Sequence, residues 1–150
     1  MVSIEEAIQQ REFKDPRNKL VVNLLYTHSY LVTKQNALFK PYGISPEQYN
    51  VLRILKGQKG KPITVSSIQE RMLNKMSNAS RLVEKLKTKG LLKREECPTD
   101  RRQVDILITE KGLNLLEELQ VQVTEFNKGF VNLSKEEVSK LNQLLDDLRG

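Results

Sequence analysis

Between Val65 and Ile108 the chain changes its hydrophobic period from that of a helix to that of a strand, with no linker between the two. "VSSIQERM" and "MSNASRLVEKLKTKG" carry apolar residues at helical spacing and are separated by the turn "LNK". "LLKREE" and "QVDILI" then read as two short strands joined by "CPTDRR", so residues 91–108 are expected to form a β-hairpin. Helix, tight turn, helix and hairpin follow one another too closely for separate cores. They must share one small core, and whatever flanks them either completes that core or packs elsewhere.

Long helices flank this unit. "DPRNKLVVNLLYTHSYLVTKQNALFKPYG" offers Asp15 as a cap and Pro16 for the first helical position, and Pro41 and Gly43 stop it. Leu20, Leu24, Leu31 and Leu38 recur at heptad-like spacing, and Val21, Leu25 and Val32 widen the stripe. "SPEQYNVLRILKG" opens with a capping box, Ser45 and Gln48, and ends at Gly57. "GKPIT" is a short extended lead into the helix that Thr64 caps. After the hairpin, "TEKGLNLLEELQVQVTEFNKGF" takes Thr109 as cap and aligns Leu113, Leu116, Leu119, Val123, Phe126 and Phe130. "SKEEVSKLNQLLDDL" begins with a second capping box, Ser134 and Glu137, and carries Val138, Leu141, Leu145 and Leu148. The expected fold is mainly α with a small β-hairpin (α+β), one domain over residues 1–150. Aromatic residues are only 5% of the chain, so three apolar helix stripes are generous for a monomer. A second copy would cover them.

The net charge of +6 is concentrated in one segment. From Lys61 to Gln103, eleven basic residues stand against five acidic ones; the remainder is balanced, and the part from Val104 onward is acidic. Such localisation is the electrostatic footprint of a polyanion binder. No apolar run approaches the roughly 20 residues that span a bilayer. The start "MVSIEEAIQQREF" has acids where a signal peptide has a basic start and an apolar block, so a cytoplasmic protein without a membrane partner is expected. The single cysteine, Cys97, allows no internal disulfide and no cysteine-based metal site, and no cofactor is expected. One histidine, no glycine-rich phosphate loop and no clustered metal ligands argue against an enzyme.

Segment 74–89 has two faces. Met76, Ala79, Leu82, Val83 and Leu86 are expected to point at the core. Asn74, Ser77, Asn78, Arg81, Lys85 and Lys89 share another face, with Thr88 on its margin. Its first half holds short hydrogen-bonding side chains and one arginine; its second half holds lysines. Major-groove readers are distributed this way, since Asn can bond adenine bidentately, Arg can bond guanine and a lysine meets phosphate. A solvated helix face has the same composition when taken alone. The preceding helix and turn, the following hairpin and the localised charge favour DNA. Lys75, Ser77, Asn78 and Arg81 are the expected base contacts, and Thr64, Asn74 and Lys85 the expected backbone contacts.

Three pieces of this region, "ASRLVEKLKTKGLLKR" (79–94), "DRR" (100–102) and "ITEKG" (108–112), carry a specific resemblance. Residues 63–112 strongly resemble the multiple-antibiotic-resistance regulator (MarR) family of winged helix–turn–helix transcription factors. The resemblance implies a DNA-binding lobe over 45–112 and a helical dimerisation region formed by 1–40 and 113–150. It implies a homodimer on a pseudo-palindromic operator of double-stranded DNA, with each recognition helix in a major groove and each wing in the adjacent minor groove. By position, Asp100 would brace the hairpin by pairing with a nearby arginine, Arg102 would be the minor-groove finger, and Arg101 would brace or touch phosphate. A narrow minor groove concentrates negative potential and favours an inserted arginine. The resemblance further implies repression relieved by a small-molecule effector. Family members often bind phenolic ligands between the dimer helices and the DNA-binding lobe, for which Tyr26, His28, Tyr30 and Tyr49 are the candidate lining. For any one tyrosine, core or interface packing is the alternative, and a lone helical histidine is most often structural. Family wings often carry an acid where this chain has Cys97.

Two other functions compete. A winged-helix interaction module would dock an acidic protein on the basic face, but such faces favour aromatics, whereas Asn, Ser and Arg beside lysines suit base edges and phosphates. A redox-responsive regulator would act through Cys97. Lys93 and Arg94 would favour its thiolate, while Glu95 and Glu96 oppose it. The family's peroxide sensors keep their reactive cysteine near the N-terminus, where this chain has none.

Overall fold

The computed structural model describes residues 2–96 and 104–150, and within them every α-helix opens on a side-chain cap. Ser3 caps α1 (Ile4–Ala7), Asp15 caps α2 (Pro16–Phe39) and Ser45 caps α3 (Pro46–Gly57). Thr64 caps α4 (Val65–Arg71), Asn78 caps α5 (Ala79–Thr88), Thr109 caps α6 (Glu110–Phe130) and Ser134 caps α7 (Lys135–Arg149). These polar residues satisfy first-turn N–H groups that have no partner within their own helix, so each helix starts where its cap stands. Only α1 was not expected, although Ser3 and Glu6 form a complete capping box.

Strands β1 (Leu92–Glu96) and β2 (Val104–Ile108) pair antiparallel, with Leu92 opposite Ile108 and Arg94 opposite Ile106. Ile63, from the extended "GKPIT", bridges to the far side of β2. The Ile106 N–H donates to the Ile63 carbonyl at 2.9 Å, and the Ile63 N–H donates back at 3.2 Å. Cys97, Asp100, Arg101 and Arg102 lie outside the described residues.

The core gathers Val51, Leu52 and Leu55 of α3 with Ile68 of α4, Val83 and Leu86 of α5, Ile106 of β2, and Leu116 and Leu119 of α6. Val104 and Ile108 pack against it, so the hydrophobic ladder of β2 anchors the hairpin. Where the hairpin meets α6, the Thr109 hydroxyl donates to the Gly90 carbonyl at 2.7 Å and its N–H donates to the Leu91 carbonyl at 3.2 Å. A Cβ on Gly112 would lie 2.2 Å from that Leu91 oxygen, so only glycine lets α6 approach this closely. This contact is the physical content of "ITEKG".

One expectation fails. Met76 does not face the core but is 92% exposed. Helix α5 begins at Ala79, so residues 74–78 form a turn to which helical spacing does not apply. Past that point the pattern is as expected: Ala79, Val83 and Leu86 are buried and Leu82 is half-buried. The outer helices are poorly covered. Helix α2 buries only Phe39 and α7 buries nothing, while Leu20, Val21 and Leu25 and, on α7, Leu141, Leu144 and Leu148 stand exposed. No helix among the described residues is long and apolar enough to cross a membrane.

Candidate nucleic-acid interface

The turn between α4 and α5 is held from both sides. Gln69, near the end of α4, donates from Nε2 to the Lys75 carbonyl at 3.3 Å and accepts the Ala79 N–H on Oε1 at 2.9 Å. Asn50 of α3 accepts the Leu73 N–H at 2.9 Å. The Lys75 ammonium donates to the Glu70 carbonyl at 2.5 Å. Sequence reasoning missed Gln69 and Asn50. Asn50 and Leu73 stand 23 positions apart, so no local pattern could connect them.

On this braced turn, Asn78 caps α5 by accepting the Arg81 N–H on Oδ1 at 3.0 Å. Asn74 accepts the Met76 N–H on its own Oδ1, also at 3.0 Å. Ser77 is turned inward: its hydroxyl is buried and finds no hydrogen-bond partner among the described residues. Thr64 uses its hydroxyl to cap α4, accepting the Ser67 N–H at 3.2 Å. The structure brings Asn74, Asn78, Arg81 and Lys85 into one groove of about 390 Å³, with Glu47 as the acid on it. Lys75 is exposed on the adjoining turn, and Thr64 lies outside this groove.

Several of the basic residues are structural. Arg94 of β1 forms an ion pair with Glu84 of α5, tying the hairpin to the helix. Lys89 donates to the Gly43 carbonyl, and Lys111 to the Lys89 carbonyl at 2.9 Å. Among the described residues, Arg81 and Lys85 have no side-chain hydrogen bond or ion pair. These two are the cations that line the groove, and both are free to meet an anion there.

A second, larger cleft of about 660 Å³ lies between the end of α2 and α5, with Ile44 and Leu82 as apolar lining and Lys40, Gln48, Lys85 and Lys89 among its polar residues. Lys85 lines both openings. Tyr26, His28, Tyr30 and Tyr49 do not converge on this cleft within one chain. Tyr49 stacks on Phe39 with ring centroids 4.7 Å apart. Tyr30 lies 6.1 Å from Phe130 and holds the Lys34 ammonium 5.4 Å from its ring. Tyr26 and His28 are exposed on α2.

Known proteins share this arrangement. A model of the MarR family matches residues 42–103. The HTH-type transcriptional regulator MhqR of Bacillus subtilis is 30% identical over 128 residues, covering 85% of this chain and 87% of that protein. The chain belongs to the MarR family. The transcriptional repressor MprA of Escherichia coli is 28% identical over 132 residues, spanning 86% of this chain and 75% of that protein. Among solved structures, a MarR-like transcription regulator from Bacillus cereus superposes with a TM-score of 0.75 at 25% identity, over 90% of this chain and 97% of the other. AbsC, a MarR family regulator from Streptomyces coelicolor, shares the fold with a TM-score of 0.77 at 22% identity, over 93% and 95%. The winged helix–turn–helix is thus common ground, and as a MarR-family protein the chain is a DNA-binding transcriptional regulator.

Proposed function

We propose that this MarR-family chain is a homodimeric, sequence-specific repressor that binds a pseudo-palindromic double-stranded operator in the cytoplasm and is released by a small-molecule effector. It works by binding rather than by catalysis. The observation that carries this reading is the groove at the start of α5, where two asparagines of a braced turn stand beside two unpaired cations of the helix. In this reading Lys75, Asn78 and Arg81 approach base edges, while Asn74, Lys85 and Thr64 approach the backbone. Ser77, enclosed as it is, supports the turn. Asp100, Arg101 and Arg102 serve the minor groove, as the resemblance implies. Residues 45–112 form the DNA-binding lobe, and 1–40 with 113–150 form the dimerisation region, where the exposed leucines of α2 and α7 meet a second chain. Repression is supported by the relatives MprA and IacR, both named transcriptional repressors.

The larger cleft suits the effector. Its volume falls within the usual range for small-ligand sites, and three lysines beside an apolar lining fit a small anion with a hydrophobic body. Because Lys85 lines this cleft as well as the groove, a ligand there bears directly on a residue that meets DNA. Tyr26, His28 and Tyr30 lie on the uncovered α2 surface, where a pocket would need the second chain. Selection of bound sequences from random duplex DNA by the full chain tests the whole reading. Enriched half-sites about one helical turn apart are expected for a two-fold dimer. Failure to enrich any site would refute it.

A further inference from the structure

The turn between α4 and α5 shows its apolar side chains to water. Three of its polar groups turn back on the protein: Asn74 Oδ1 accepts the Met76 N–H, the Lys75 ammonium donates to the Glu70 carbonyl, and Ser77 Oγ is enclosed. Met76, at 92%, and Leu73, at 86%, are the most exposed large apolar side chains among the described residues. Scattered apolar residues on a surface are ordinary, but these two share one turn, and that turn is held. The Leu73 N–H donates to Asn50, while Gln69 donates to the Lys75 carbonyl and accepts the Ala79 N–H. Neither side chain belongs to the exposed leucine stripes of α2 and α7, which the proposed dimer covers. Asn74 and Ser77, on either side of Met76 along the turn, line the groove that holds Arg81 and Lys85.

Resting on the DNA-binding reading above, we infer that Met76 and Leu73 form an apolar probe that reads thymine through its C5-methyl group in the major groove. Thymine is the one base that places a methyl group on that edge, and apolar side chains recognise it by contact. In a helix–turn–helix protein the N-terminal residues of the second helix meet the base edges, and this turn leads directly into that end of α5. A wholly apolar partner would cover the two side chains but leave Arg81 and Lys85 beside it without an anion, which is costly. Duplex DNA supplies both surfaces at once, phosphate for the cations and methyl groups for the probe. The braced backbone fixes where the side chains start, so less ordering is needed on binding. The unbranched methionine adapts to the methyl group it meets.

The test takes the operator that the full chain selects from random duplex DNA and replaces each thymine in turn by deoxyuridine, whose base differs only in lacking the methyl group. With wild type, at least one replacement in each half-site should weaken binding by about threefold to fivefold, which is what burial of one methyl group is worth. Met76→Gln, similar in length but polar, should bind the thymine operator more weakly and lose that uracil penalty, whereas Met76→Leu should keep it. Leu73→Gln should lose the penalty at the same thymine or at an adjacent one. Both positions are exposed, so all three variants should melt with wild type; a lowered melting temperature would assign the side chains to the fold and overturn the inference. Half-sites without thymine, uracil tolerated at every position, or penalties that persist unchanged in both Gln variants would overturn it and leave DNA binding intact. A changed oligomeric state of either Gln variant by light scattering would give the patch to a second chain and overturn it as well. Absence of any enriched site with wild type would overturn both this inference and the DNA-binding reading.

Discussion

Helices α3 and α7 begin with the same chemistry and end in opposite places. Each opens on a serine whose hydroxyl accepts the N–H three residues on, and each closes the box with Gln48 or Glu137 reaching back. Each carries an apolar stripe. Yet α3 buries Gln48, Val51, Leu52 and Leu55, whereas α7, which is longer, buries nothing. Caps decide where a helix starts because their partners lie three residues away. Burial is decided by what lies across the stripe. For α3 that is α5 and α6 of the same chain; for α7, in the reading proposed above, it is a second copy.

The sharpest way to break this contrast is to damage each stripe in turn. Leu52→Ala, at a fully buried position, should lower stability by about 2–5 kcal/mol in denaturant unfolding, as deletion of core methyl groups generally does. Leu141→Arg, on the half-exposed face of α7, should leave the lobe folded while shifting the chain from dimer to monomer by light scattering. A Leu141→Arg chain that stayed dimeric would break the comparison. Gly112→Ala probes the junction between the two regions. Its Cβ would meet the Leu91 carbonyl oxygen, so a loss of about 1–3 kcal/mol is expected, and an unchanged melting temperature would mean that α6 can shift away from the hairpin without penalty.

Binding predictions refine the lobe itself. Arg102→Ala should weaken operator binding by about 1–3 kcal/mol at fixed salt if this arginine enters the minor groove; unchanged binding would remove the wing from the interface. Lys85→Ala should weaken specific and non-specific DNA about equally and reduce the salt slope by about one unit, whereas a loss confined to the operator would place Lys85 on a base. The smallest effect is expected at the N-terminus. The hydrogen bond from Lys19 is the main reason the half-buried Glu5 carboxyl sits below its ordinary value, and their ion pair spans 2.6 Å. A depressed folded value means the contribution is present above the unfolded pKa and lost as pH falls through the folded one. Glu5→Gln should therefore flatten the acid limb of stability against pH slightly, and an identical limb would show that the pair contributes nothing.

Much of the lobe was legible in the residues. Ser45, Thr64, Thr109 and Ser134 marked helix starts, and the change of period at Leu91 marked the hairpin. The face of α5 was legible only from Ala79 onward. Extending helical spacing back to Asn74 put Met76 in the core, where the structure leaves it exposed. The same extension treated Asn78 as one more residue on a face, when it is the cap. The pocket tyrosines were separated for a similar reason: they share α2 and α3 in sequence, but Tyr49 points to Phe39 while Tyr26 and Tyr30 remain on the outer surface.

By itself, then, the sequence determined the elements, their order and the concentration of positive charge in one lobe, because caps, turns and periodicity act over three or four positions. Tertiary structure alone decided how the turn before α5 is braced. Gln69 takes the N–H of Ala79 ten residues on, and Asn50 takes that of Leu73 across 23 positions. Those two bonds hold the turn on which Asn78, the local cap, accepts the Arg81 N–H. Contacts over such distances depend on the packing of α3 against α4 and α5, which no local pattern encodes.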